Sequence, residues 1–255
     1  MENCLPASSS TSENDDAIEG AAIRNGASST VSGAWFAVAA VLAIAWFPYA
    51  AANVLYWLFT DDSANWPYLA NTIWEIVQNL TILVVVLFIM YCDGRPWPTF
   101  GVVQPRWAAD PVVAIAILVG TWGMLSVIYG AVGVVVGNEA VDQFSASAYE
   151  FAMPATAADY LALVLVSLCI GMSEELAMRG YLIPTFERLL KSTPLSVVLT
   201  SFIFASYHTY QGFGAAVWIF VLGLLFGAVF CWQRRLWPLV IAHAAMDVIG
   251  LSQEW

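Results

Sequence analysis

Charge is what this sequence has least of: only 11% of its residues are Asp, Glu, Lys or Arg. A soluble domain needs about a quarter of its residues charged to cover its surface, so water is not the main solvent of this chain. Basic residues are the scarcest, with eight Lys and Arg against 19 Asp and Glu, for a net charge of −11. No basic stripe is present to neutralise phosphates, which excludes nucleic acid as a partner. Histidine occurs twice and cysteine four times. Cys4, Cys92, Cys169 and Cys231 have neither CxxC nor zinc-finger spacing and read as reduced packing residues. Residues 1–30 lack the apolar stretch of a signal peptide and are rich in Ser, Asn, Asp and Glu. They read as a disordered cytosolic tail.

Apolar residues are abundant instead, at 60% of the chain with a mean hydropathy of +0.74. Seven apolar segments lie near 33–59, 70–92, 111–136, 157–178, 194–210, 213–232 and 236–252. Each approaches the ~20 residues that cross a bilayer as a helix. The runs are continuous rather than alternating, and too few to close a barrel. The expected fold is therefore all-α, a polytopic transmembrane bundle over residues 31–255 with the bilayer as its first partner. No internal repeat is evident.

The basic residues suggest an orientation. Arg24 is in the tail, while Arg95, Arg106, Arg188, Lys191, Arg234 and Arg235 follow the second, fourth and sixth segments. The other loops carry no Lys or Arg, so with seven spans every loop charge falls on one side. The positive-inside rule makes that side the cytosol, with the N-terminus inside and the C-terminus outside. Trp66, Tyr68, Trp97, Trp107, Trp237 and Trp255 flank the segments as interfacial anchors.

Ionisable side chains at membrane depth cost about 2.5–3.5 kcal/mol or more each and need partners. In Ser173-Glu174-Glu175-Leu176-Ala177-Met178-Arg179-Gly180, Glu175 and Arg179 are i,i+4 neighbours with the acid first, a self-neutralising pair. Glu174 points about 100° away and faces something else. The bland alternative leaves both glutamates in interfacial water at the cytosolic end of the fourth segment, beside Arg188 and Lys191. His208 closes Phe202-Ile203-Phe204-Ala205-Ser206-Tyr207-His208 and shares a helix face with Phe204. His243 shares a face with Asp247 on the last span. Either histidine could be a simple interhelical hydrogen-bonding group. Asn71, Glu75, Gln78 and Asn79 form a polar stripe on the second span, read as helix–helix glue because no complementary basic residue is evident.

These residues carry a family resemblance. EELAMRGYLIPTFERL resembles the EExxxR motif of the type II CAAX prenyl endopeptidases, the CPBP or ABI family of intramembrane proteases. FIFASYH resembles its FxxxH motif, and GLLFGAVFCWQRRLWPLVIAHAAMD its closing HxxxN or HxxxD segment. Order and spacing agree over about 164–248, and the protease-like core is expected at about 157–250. The resemblance implies endoproteolysis within or at the edge of the membrane. It implies that Glu174 and His208 activate a water, that Glu175 and Arg179 hold the geometry, and that His243 and Asp247 stabilise the oxyanion. Two departures stand out: Met178 where many members have Phe, and Asp247 where prenyl-protein processors have Asn. An ionised Asp cannot donate to an oxyanion, so Asp247 must be protonated or orient His243. That departure weakens the prenyl-CAAX substrate more than it weakens the chemistry.

Two mechanisms fit the same residues. Glu174 acts as general base on water with His208 polarising it and no cofactor, the reading we favour. Alternatively Glu174, His208 and His243 bind zinc with an open position for water. Both require a polar cavity near Glu174, expected to open to the cytosol. The substrate would be a membrane-associated peptide or lipidated protein, and the membrane a prokaryotic plasma membrane. Rival functions are a non-catalytic immunity or scaffold protein of the same fold, and a proton-relay transporter. The transporter would need repeat symmetry and interrupted helices, which are not found.

Overall fold

A computed structural model describes residues 31–45, 68–146 and 153–252. The N-terminal tail, the second half of the first apolar segment, Trp66 and Trp255 lie outside the described residues. The described chain is helical throughout: α1 (Val31–Ala45), α2 (Tyr68–Asp93), α3 (Ala109–Val136), α4 (Asn138–Ser145), α5 (Ala157–Glu175), α6 (Ile183–Leu190), α7 (Thr193–Tyr207), α8 (Phe213–Gln233) and α9 (Trp237–Gly250). A π-helical segment, Leu176–Leu182, joins α5 to α6.

Four continuous helices have the length and hydropathy to cross a membrane: Tyr68–Asp93, Ala109–Val136, Ala157–Leu190 and Phe213–Gln233. This is an integral membrane protein. The apolar stretches at α1, α7 and α9 are shorter, 10–17 residues each. The described part of the first expected segment is α1, the fifth and seventh are the short helices α7 and α9, and the other four are long helices. A correction concerns the fourth segment, expected to end near 178. It continues without a break to Leu190, a run of 34 residues. Glu174 therefore lies midway along a spanning helix rather than at its cytosolic end.

The reason is local. Pro184 has no N–H and its ring would strike the carbonyl four residues back, at Gly180. The wider π turn absorbs that conflict, so the chain passes the proline without ending the helix. The start of α5 is set by a capping box: the Asp159 amide donates to Thr156 Oγ1, and Asp159 Oδ2 accepts from the Thr156 amide.

Packing changes character along that long helix. In its first half Leu161, Val164, Leu165 and Leu168 are exposed, as a lipid-facing side requires. From Glu175 to Phe186 every residue is buried. The buried stretch contacts α2, α7, α8 and the short 3-10 turn Trp97–Phe100. Small residues let the backbones approach. Gly223 and Gly227, a GxxxG pair on α8, face Ser201 and Val197 of α7, and an added Cβ would come within 2.9 and 2.7 Å of them.

The loop arginines gather at one end of the bundle. Arg95 holds Asp93 at 2.6 Å and Thr185 at 2.6 Å, Arg234 grips Glu187 through both nitrogens at 2.8 and 2.7 Å, and Arg235 binds Asp110 at 2.8 Å. Trp237 Nε1 donates to the Val103 carbonyl there, at 2.6 Å.

A carboxylate–histidine site at membrane depth

Glu175 is the centre of the buried polar network. Its Oε1 accepts from Arg179 Nη1 at 2.9 Å and from His243 Nδ1 at 2.8 Å. All three side chains are enclosed, Glu175 completely. The i,i+4 pair expected from the sequence is therefore formed, although the π segment begins one residue after Glu175. The Arg179 guanidinium lies over the rings of Phe204 at 4.6 Å and Phe226 at 5.5 Å. Two aromatic faces and one carboxylate hold this cation where water would otherwise be needed.

His243 carries that network to Glu174. With Nδ1 occupied by Glu175, its Nε2 faces Glu174 Oε2 at 3.4 Å and Asp247 Oδ1 at 3.8 Å. The shared face of His243 and Asp247 is thus realised, and both belong to one cluster with the two glutamates. Gly171 makes the approach possible. A Cβ there would stand 3.1 Å from the Val240 carbonyl oxygen, 3.3 Å from the Ala244 amide nitrogen and 3.5 Å from His243 Cβ. Larger residues would push α9 and its histidine away from α5.

His208 differs from its expected setting. It caps the end of α7 just beyond Tyr207 rather than lying within the helix. Its Nδ1 pairs with the Phe204 carbonyl at 2.9 Å. The Phe204 ring neighbours both histidines, its centroid 4.8 Å from His208 and 6.3 Å from His243. No hydrogen bond joins His208 to Glu174 among the described residues. The group within hydrogen-bonding reach of Glu174 is instead the Tyr207 hydroxyl. Tyr207 was not singled out in the sequence, although it adjoins the histidine of the FxxxH match.

The polar stripe of α2 reaches the same region. Ser173 Oγ donates to Asn79 Oδ1 at 2.6 Å, and Asn79 Nδ2 to the Glu75 carbonyl at 3.0 Å. Asn79 is therefore helix–helix glue, as expected. Glu75, one turn earlier, lies within electrostatic reach of Asp247 and Glu174.

No three of the described His, Cys, Asp and Glu residues are grouped to hold a metal ion. The set Glu174, His208 and His243 does not converge as zinc ligands, and no step below runs through a metal. The described cysteines, Cys92, Cys169 and Cys231, are free thiols.

A helical membrane protein with carboxylates and a histidine gathered at depth has the equipment for proton transfer away from bulk water. Residues 156–249, from the cap of α5 almost to the end of α9, match the family model described as Type II CAAX prenyl endopeptidase Rce1-like. This is the family suggested by the three motifs, and at the family level its chemistry is that of a protease. Comparison with curated proteins and comparison with solved structures each found no match.

Proposed function

We propose that this protein is an intramembrane endopeptidase in which Glu174 is the general base that activates water. The observation carrying the reading is the chain Arg179–Glu175–His243–Glu174, linked at 2.9, 2.8 and 3.4 Å. A general base must sit within hydrogen-bond reach of its water and be oriented by neighbours that are themselves fixed. Tyr207 and His243 flank Glu174 from α7 and α9, and leave it free to accept a proton.

In this mechanism water attacks the scissile carbonyl carbon as Glu174 takes its proton. His243, when it also carries a proton on Nε2, donates toward the developing oxyanion. Asp247 orients that imidazole. Glu174 then returns its proton to the leaving amine, which conserves protons over the cycle. His208, packed against the Phe204 ring, would join the site by polarising the water as substrate enters. Arg179 and Glu175 hold His243 in place and touch no reacting atom.

The seven apolar segments would all cross the membrane, with the arginine-bearing end in the cytosol and the N-terminus on that side. The substrate is a membrane-associated peptide or lipidated protein, the membrane a prokaryotic plasma membrane. The test is cleavage of a quenched membrane-peptide library by purified full chain, wild type against Glu174→Gln, with metal analysis of the same samples. Cleavage lost in the variant without stoichiometric zinc supports the glutamate base. Stoichiometric zinc whose removal abolishes cleavage would replace it with the metal mechanism. Cleavage by neither protein would favour the non-catalytic immunity or scaffold role.

A further inference from the structure

Arg179 has more donors than the chain gives it oxygens. A guanidinium carries five N–H groups. Among the described residues two oxygens meet them, Glu175 Oε1 at 2.9 Å and the Gly223 carbonyl at 3.5 Å. Beside these stand the ring faces of Phe204 at 4.6 Å and Phe226 at 5.5 Å. The arginine side chain is only 2% exposed, so water contributes little. Ring faces are the substitute a desolvated cation can use.

Phe226 meets His243 as well. Its ring centroid lies 6.2 Å from the imidazole with the planes at 84°, and Phe204 repeats this geometry from α7 at 6.3 Å and 89°. Near-perpendicular contact is a favoured aromatic arrangement. Phe204 opens the FxxxH match and also packs on His208. Phe226 has no such mark in the sequence: it lies buried in the apolar run of α8, where no site residue was expected. Its placement is a result of packing. Gly223 and Gly227 bring α8 against Ser201 and Val197 of α7. Phe226 follows Gly223 by three residues, so ring and carbonyl reach Arg179 from one side of the helix.

Resting on the hydrolase reading, we propose that Phe226 is a positioning residue: its ring holds the Arg179 guanidinium on Glu175 and steadies the His243 imidazole, keeping Nε2 turned toward Glu174. It acts through these side chains and not on the substrate. The π face favours the cation where it stands, and the cation fixes the carboxylate that accepts from His243 Nδ1. The perpendicular contact resists turning of the imidazole itself. The bland alternative is a core phenylalanine like Phe230, about one turn further along α8. Phe230 is also buried and also lies over an arginine, Arg234 at 5.6 Å, but that arginine belongs to the basic end. Comparing the two separates positioning from packing.

The experiment uses full chain in nanodiscs with isotope-labelled histidine, read by NMR, and follows cleavage separately. Histidine occurs twice, so a His208→Gln spectrum assigns the remaining imidazole to His243. Wild type should show a sharp Nδ1–H signal that exchanges slowly with water, as its buried bond to Glu175 requires. Phe226→Leu should speed that exchange at least about tenfold and lower kcat by about 10–100-fold, with KM within about twofold, the split expected when only transition-state geometry is lost. Phe230→Leu should lower the unfolding temperature comparably and leave both the signal and kcat near wild type. Mono-, di- and trifluorinated phenylalanine at position 226 keep the ring's shape while draining its π face, so exchange should quicken stepwise along the series. Equal behaviour of Phe226→Leu and Phe230→Leu, an unaltered signal in Phe226→Leu, or a fluorine series without a trend would overturn the inference. A signal that depends on Phe226 in a protein that cleaves nothing would remove the protease reading alone. Cleavage that Phe226→Leu leaves at the wild-type rate would remove the Phe226 assignment alone.

Discussion

At the basic end of the bundle three arginines each have a carboxylate: Arg95 has Asp93, Arg234 has Glu187 and Arg235 has Asp110. At membrane depth Glu174, Glu175 and Asp247 surround His243, and a single arginine, Arg179, is bound to Glu175. The first arrangement balances charge pair by pair, each carboxylate with its own arginine. The second leaves acid in excess where solvation is poorest. Pairing of the first kind serves structure, since each clamp ties a loop to a helix. Unbalanced charge at depth does not stabilise a bundle, and it is kept in proteins for chemistry or for a ligand.

Substitutions can break this contrast. Glu174→Gln keeps shape and hydrogen bonding but removes the base, and cleavage should fall by about 10²–10⁴-fold, with thermal unfolding in detergent little changed. Arg179→Ala leaves the buried Glu175 without its guanidinium and with His243 alone as partner, and should cost about 3–5 kcal/mol of stability, read as a large fall in unfolding temperature together with lost cleavage. Gly171→Val forces α9 off α5 and should cost about 1–3 kcal/mol. Its cleavage should fall further than that loss explains, because Nε2 of His243 moves away from Glu174. At the rim, Arg234→Ala removes a pair whose arginine side chain is 41% exposed, and should change stability by about 1 kcal/mol or less with cleavage unaltered. An Arg234→Ala protein as damaged as Arg179→Ala would erase the distinction between the two regions.

Legibility in the sequence followed the range of each interaction. The Glu175–Arg179 pair and the shared face of His243 and Asp247 are i,i+4 relations, and both are found where the helix period puts them. The apolar run predicts a segment ending near 178, whereas the π turn lets the helix run on past Pro184 to Leu190. His208 was read as helical because the apolar run continues past it, yet α7 stops at Tyr207 and the imidazole caps its end. The link from Asn79 to Ser173 spans 94 residues and the link from Glu175 to His243 spans 68, so no local pattern could reveal them.

Composition alone determined that this protein lives in a bilayer and folds as helices, because unsatisfied backbone groups have no water to turn to there. The ordered motifs pointed to the family whose model matches residues 156–249, and helical periodicity determined which residues pair within one helix. Only tertiary packing decided that Glu175 and Glu174 address opposite nitrogens of one histidine and that Tyr207 rather than His208 stands next to Glu174. Those outcomes depend on how closely helices approach one another. Gly171, Gly223 and Gly227 permit that approach, but which neighbour fills the space they leave is a property of the assembled bundle.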